Sequence, residues 1–414
     1  MRPGEGRAAL WSFTYFFCVL ASYYVLRPVR EEMGVATGIE RLPWLFTGTF
    51  LAMAAAVPVF GALAARFPRR TLLPLVYAFF IACILGLFAL LRGVGAPAWA
   101  PAAFFIWLSV FNLFVVSVFW SFMADIWQEE QARRLFGFIA AGGSAGALVG
   151  PAATALLAPR IGPVNLLPLA AAILAGALVC VARLRPGADP AEPGPRPAEL
   201  AADEVPVGGS ALGGLTRVPR SAYLSGIALF VALGTLFATF VYFQQAQVIR
   251  EAFADPGRRT AVFALIDLAV NVLTIGAQLF VTGALATRFG LVRVLPALPV
   301  VTLAGFTALA LVSTAGILIM FQVLRRATQY GITGPAREVL FTVLPREDKY
   351  KAKNVIDTIV SRGGDALSGW AFAGLSALGL GMTGVSVVAL PLAALWIALA
   401  VYLGRREERL REGA

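Results

Sequence analysis

The sequence predicts an all-α membrane protein of twelve transmembrane helices arranged as two sets of six. Composition is the first ground. Of 414 residues, 59% are hydrophobic and only 14% charged, and the mean hydropathy is +0.79, well outside the range of ordinary soluble domains. Spacing is the second. Apolar stretches long enough to cross the roughly 20-residue depth of a bilayer alternate with short arginine-bearing loops. The third is a repeat: GALAARFPRR, Gly61 to Arg70, follows the second apolar stretch, and GALATRFGLVR, Gly283 to Arg293, follows the eighth. A match at corresponding places argues for duplicated six-helix halves related by an axis along the membrane normal.

Taken in order, the apolar windows fall near 10–29, 43–65, 71–91, 101–124, 135–158 and 162–182, then near 221–247, 260–286, 291–311, 314–334, 354–378 and 381–403. Residues 1–182 and 221–414 are thus the expected N-terminal and C-terminal six-helix bundles. Between them, residues 183–220 are dense in Pro, Gly and Ala with no apolar period and read as a cytoplasmic linker. The opening MRPGEGRAALWSF runs straight into YYVLRPVREE without an A-x-A-like cleavage site, so it reads as the first spanning helix, not a removed signal. Most of the 34 basic residues fall in the two tails, the linker and the alternate loops on one side. That asymmetry places both termini and the linker in the cytoplasm, and it reads the net charge of +11 as topology, not nucleic-acid binding. Cys18, Cys83 and Cys180 sit in apolar spans without ligand spacing and read as small hydrophobes. Histidine is absent, and no metal site, cofactor or catalytic constellation is expected.

Charge inside the apolar spans is where function is sought, because a charged side chain in lipid must face a bundle interior, a partner or water. At the end of the first helix Arg27 and Arg30 stand three apart across Pro28 and are followed by Glu31 and Glu32. Proline removes a donor, so a kink or helix end is expected there. The two arginines read either as interfacial side chains with a local salt bridge or as a cationic element facing a translocation cavity. Between the fourth and fifth helices Asp125, Glu129 and Glu130 precede Arg133 and Arg134 with i,i+4 spacing, the pattern of a cytoplasmic latch. Gly142, Gly146 and Gly150 follow four apart, a surface for close helix approach.

The seventh and eighth helices add Tyr242, Gln244, Gln245 and Gln247, then Asp267 and Asn271 one turn apart. A carboxylate so placed must be paired or protonated, which makes Asp267 a candidate for proton coupling or for holding a cavity arginine. In the tenth span Gln322, Arg325, Arg326 and Gln329 share one side of a helix. Guanidinium groups bind phosphate or carboxylate in a bidentate manner and stay charged, so this face suits a polyanion; the competing reading is an ion-pair network with Asp357 or Asp365. Lys349 and Lys353 in the loop that follows, and Arg362 in the eleventh span, complete the candidate set.

The repeated loop resembles the Gly-x-x-x-(Asp)-Arg-x-Gly-Arg-Arg signature of the major facilitator superfamily, with Ala65 and Thr287 at the acidic position and Pro68 in place of the second glycine of the first copy. YYVLRPVREEMGV, FWSFMADIWQEEQARRLFG and QYGITGPAREVLFTVLPREDKYKAKNVIDTIVSRGG together resemble the nucleotide transporter, or ATP/ADP translocase, family. The third segment is the most specific, with Pro335, Arg337, Glu338, Lys353, Asp357 and Arg362 matching in order. The resemblance implies a facilitator-type twelve-helix fold and nucleotide exchange or proton-coupled uptake. It also implies transport roles for Arg27, for Arg30 at the position of a family lysine, for Glu130 and Gln131 in an acidic region, and for Lys353. The chain departs from the pattern at Gly334, which replaces an aspartate, at Pro28, where an acid is lost, and at Asp365, where a basic residue becomes acidic.

The expectation is a secondary transporter of an organic anion, a nucleotide or other phosphorylated metabolite, acting as a monomer in the lipid bilayer. Arg27, Arg30, Gln322, Arg325, Arg326, Gln329, Lys353 and Arg362 are its expected substrate contacts. Asp125, Glu130, Arg133, Arg134, Asp267, Asn271, Asp357 and Asp365 are its expected coupling or gating groups. Carriage of an amphipathic lipid, peptide or siderophore, and a non-transporting sensor or assembly factor on the same fold, are the alternatives; an enzyme is not expected.

Overall fold

A computed structural model of the chain describes residues 5–67, 69–93, 95–184, 218–282, 290–345 and 352–412. The first six helices are α1 (Glu5–Thr37), α2 (Leu42–Arg66), α3 (Arg69–Arg92), α4 (Ala100–Ile126), α5 (Glu129–Ile161) and α6 (Leu167–Leu184). The next six are α7 (Ala222–Ala252), α8 (Pro256–Ala277), α9 (Ala297–Leu311), α10 (Ala315–Thr328), α11 (Ser361–Ala377) and α12 (Met382–Glu412). Local chemistry explains several boundaries. Gln128 and Gln131 form a reciprocal capping box at the start of α5, Thr314 accepts a hydrogen bond from the Ile317 amide at the start of α10, and proline occupies the first turn of α2 and of α4. α1 does not end at Pro28: it runs through the proline to Thr37.

Among the described residues, ten helices are long and apolar enough to cross a membrane, not the twelve expected from the apolar windows. The two that fall short are α10 and α11, and the reason is visible in their backbone. α10 passes into a π-turn, Gln329–Thr333, and then a short helix, Gly334–Val339. α11 is preceded by a π-turn, Ile356–Val360. Each uninterrupted α-segment is therefore short, and each carries charge: Arg325 and Arg326 in α10, Arg362 and Asp365 in α11. A third π-turn, Gln278–Thr282, extends α8. Wide turns of this kind free backbone groups and are frequent at functional sites.

The chain divides into two compact units. The first comprises Met1–Arg41, Gly48–Gly194 and Ile249–Asn271; the second comprises Leu42–Thr47, Pro195–Val248 and Val272–Ala414. The turn between α7 and α8 thus belongs to the first unit. Its core is aromatic: Phe16 stacks on Phe119 at 4.1 Å, Tyr15 meets Phe119 edge-on, and the buried hydroxyls of Tyr15 and Tyr77 lie 2.5 Å apart, with Tyr77 donating onward to the Val115 carbonyl. α5 lies close on α1 through Gly142, Gly146 and Gly150. A Cβ at Gly146 would stand 2.6 Å from the Phe17 carbonyl oxygen, and one at Gly150 2.8 Å from that of Ala21, so only glycine permits this approach. In the second unit the fully buried Trp396 of α12 stacks on Phe237 of α7 and donates its indole N–H to the Phe230 carbonyl at 3.0 Å.

Candidate functional site

In the second unit, the face that spacing assigned to one side of the tenth span is turned inward. Gln322 and Arg325 are 3% and 4% exposed, and Arg326 is also buried. Arg325 donates Nε and Nη2 to Oε1 of Gln322 at 3.2 and 3.0 Å, and Nη1 to Oε1 of Gln329 at 3.1 Å. These partners lie three residues before and four after it, so a single helix builds the cradle. Three of the five N–H donors of the guanidinium are thereby held by neutral amide oxygens, and among the described residues Arg325 forms no ion pair. Arg326, Tyr330 and Asp365 are its electrostatic neighbours. Tyr330, half exposed, stands in the π-turn that follows; its carbonyl accepts from Nε2 of Gln278 at 3.3 Å, and Gly331 sits close against Ala277 and Thr274 of α8.

Among the described residues, the other candidate charges of this unit lie in ion pairs with one another. Arg337 meets Asp357 at 3.1 Å and Glu338 at 3.4 Å, Lys353 is bonded to Glu338, and Arg362 faces Asp365 at 3.7 Å. Of the two acids in the competing ion-pair reading, Asp357 is taken by Arg337, while Asp365 lies beside Arg325 as well as Arg362. Lys349 lies outside the described residues, as do 283–289 of the repeated loop and 185–217 of the linker.

In the first unit the candidate residues of α1, α5 and α8 come together. Nε of Arg27 lies 3.5 Å from Oδ2 of Asp267, so the carboxylate does hold an arginine. Asn271, one turn on, donates to the Ala147 carbonyl of α5 at 2.7 Å and accepts from the Tyr24 hydroxyl at 3.4 Å. Arg30 points elsewhere: its guanidinium lies 3.6 Å over the Phe105 ring, donates Nε to the Phe105 carbonyl, and pairs with Glu31 at 3.1 Å. At the other end of α5, Arg134 donates to Glu5 of α1 at 3.0 Å, where sequence spacing suggested Glu130. Asp125 and Glu130 are exposed; the side chain of Arg133 is outside the description.

One pair escaped the sequence reading. Glu32 and Arg259 form a two-pronged ion pair, Nε to Oε2 at 2.7 Å and Nη2 to Oε1 at 2.6 Å, with the carboxylate only 2% exposed and the guanidinium 12%. The remaining nitrogen of Arg259 donates to the Phe253 and Ala254 carbonyls, each at 3.1 Å. Two positions 227 residues apart carry no shared spacing; the doubled acid after Arg30 was the one available hint.

Residues 11–254 match the family described as Major Facilitator Superfamily. The chain is 24% identical to ADP,ATP carrier protein 1 of Chlamydia muridarum over 87% of this chain and 80% of that one. It is 23% identical to ADP,ATP carrier protein 1 of Chlamydia trachomatis serovar D over 99% and 92%. A solved structure similar to it is that of the POT family transporter PepTSo, with a TM-score of 0.67 and 15% identity over the whole of both chains. At that identity the likeness shows the fold alone.

Proposed function

This chain belongs to the Major Facilitator Superfamily and is a multi-span secondary transporter of the alternating-access kind; from that premise we propose that its substrate is an organic anion bearing phosphate, a nucleotide or other phosphorylated metabolite. The observation that carries the reading is Arg325. A guanidinium sunk in a membrane helix, hydrogen-bonded to neutral amides, with a second arginine adjacent and Asp365 nearby but shared with Arg362, is an incompletely compensated charge, and such a charge is costly unless an anion comes to it. Its two uncommitted N–H groups and the adjacent Arg326 supply the donors that phosphate oxygens accept. The distant likeness to two ADP,ATP carrier proteins supports the same substrate class.

Arg27, Arg30, Lys353 and Arg362 each have a carboxylate partner, so a role for them in substrate contact requires that partner to be exchanged. Asp365, beside both Arg362 and Arg325, is the natural competitor that releases the anion. We further propose that α10 and α11, with their π-turns, complete a set of twelve spans in two halves with both termini cytoplasmic. The carrier acts as a monomer in this reading.

The test is counterflow in liposomes. Labelled ATP, ADP, inorganic phosphate and dicarboxylates are offered with and without the same compound inside, to wild type and to Arg325→Gln and Arg326→Ala. Uptake of a phosphorylated probe is expected, falling about tenfold or more in each variant, as befits loss of a charge-assisted hydrogen bond. Flux of phosphorylated probes that neither substitution alters, or flux confined to uncharged compounds, sinks the proposal.

A further inference from the structure

Where α12 ends, its last turns enclose a cavity of about 210 Å3 together with the segment leading into α9 and with the π-turn and short helix that follow α10. The lining is largely apolar, with Leu291, Val294 and Ile332 in it, but α12 contributes Glu407, Glu408 and Arg411. Close approach of the backbone holds these walls in place. A Cβ on Gly404 of α12 would stand 2.6 Å from the Val292 Cα, and Gly290, at φ +67°, lies against Oε1 of Glu408, 3.2 Å from where a Cβ would sit. The hollow is thus built into the packing of the second unit and is formed before anything enters it.

Glu407 is the group that this packing leaves unmatched. It is 3% exposed, and among the described residues no hydrogen bond or ion pair reaches its carboxylate. Two neighbours might have been expected to serve it. Arg411, one turn on, is exposed and acts on it only at a distance. Tyr223 of α7 is its other electrostatic neighbour, but that hydroxyl donates to the Leu340 carbonyl at 2.9 Å. A carboxylate withdrawn from water without a donor is costly, and Glu408 places a second acid on the same wall. Space, apolar lining and two carboxylates facing one hollow together specify what is missing: a cation with several N–H donors and a hydrocarbon body.

We propose that this cavity binds a small primary ammonium carried on an apolar body, at a site separate from the Arg325 cradle. The three donors of an ammonium suit the two carboxylates, and the volume, below the roughly 300–1,000 Å3 of drug-sized sites, limits the body to a short chain or single ring. Ile332 belongs to the π-turn Gln329–Thr333, and Ala336 and Val339 to the helix after it. An occupant therefore braces the segment that joins Arg325 to the ion pairs of Arg337 and Glu338, which makes this an effector site and not a substrate site. The proposal stands whatever the transported substrate is.

The test is titration of hexylamine at neutral pH into the full chain in nanodiscs of phosphatidylcholine and phosphatidylglycerol, read by calorimetry and by amide exchange, with empty nanodiscs as the blank for partition. Saturable binding is expected, about tenfold or more tighter than that of hexanol or hexanoate, which lack the ammonium, with slower exchange over residues 332–339. Glu407→Gln should weaken hexylamine about tenfold or more, and Glu407→Asp should retain part of the affinity. Replacing half of the phosphatidylcholine by phosphatidylethanolamine separates the two sources of a primary ammonium: competition with hexylamine identifies a lipid headgroup, its absence a dissolved amine, and either upholds the site. Three results overturn it: no saturable binding in the parent protein, equal binding of hexanol, or affinity and protection that Glu407→Gln leaves unchanged, since a carboxyl kept protonated needs no cation. Absence of ATP counterflow with hexylamine binding intact would count against the substrate proposal alone.

Discussion

At Arg325 a positive charge, two glutamine oxygens and a membrane interior meet within one turn on either side of a single residue. Gln322→Leu removes the acceptor of two donors and is expected to weaken anion counterflow more than Gln329→Leu, which removes the acceptor of one; initial rates against concentration will separate them. The buried tyrosine pair makes a sharper prediction. Because Tyr77 donates to the Val115 carbonyl, Tyr15 must donate to Tyr77. Tyr77→Phe then strands the Tyr15 hydroxyl and is expected to cost about 1–3 kcal/mol, while Tyr15→Phe leaves Tyr77 satisfied and costs about 1 kcal/mol or less. Thermal unfolding in detergent will rank the two. At this scale legibility depended on separation along the chain. The cradle of Arg325 could be read from spacing because all its members share a helix. For Asp267 an arginine partner could be named only as one option, without saying which arginine, and the stacking of Arg30 on Phe105 could not be read at all, since nothing in a one-dimensional string brings those positions together.

Among the helices, α5 shows how sharply neighbouring glycines can differ. Gly146 faces backbone atoms of α1 and has no room for a Cβ, whereas Gly137 on the same helix has nothing within 4 Å of one. Gly146→Val is expected to destabilise by about 1–3 kcal/mol or more through overpacking, and Gly137→Ala to stabilise by up to about 1 kcal/mol through helix propensity; retention of monodisperse protein on heating checks both. The paired charges after α10 predict that Asp357→Asn loosens Arg337, with faster amide exchange over Ile356–Val360 and little change in α12. The apolar windows marked twelve spans, of which ten have helices long and apolar enough to cross a membrane among the described residues. α10 and α11 fall short because their polar residues and π-turns, the features that suit them to a site, also interrupt the helix and its apolar run.

For the molecule as a whole, arginine counts in the loops predict that tags on the N- and C-termini meet the same side of the membrane. Protection of both tags from an impermeant protease in sealed right-side-out vesicles would agree with cytoplasmic termini, and cleavage of either would not. Composition and the repeated GALA loop sufficed to indicate the family, since both report a membrane-wide architecture and not a particular contact. The π-turn at Gln329–Thr333 has a consequence for chain length. Excising one residue there would let the wide turn close to ordinary α-helical pitch while the residues after it keep their phase, so Arg337 and Glu338 would still meet Asp357 and Lys353. A homologue short by one amino acid at this point would keep these ion pairs and lose only the widened turn with the backbone groups it frees, so a gap in an alignment here marks a carrier whose local site differs while its charge pairing does not.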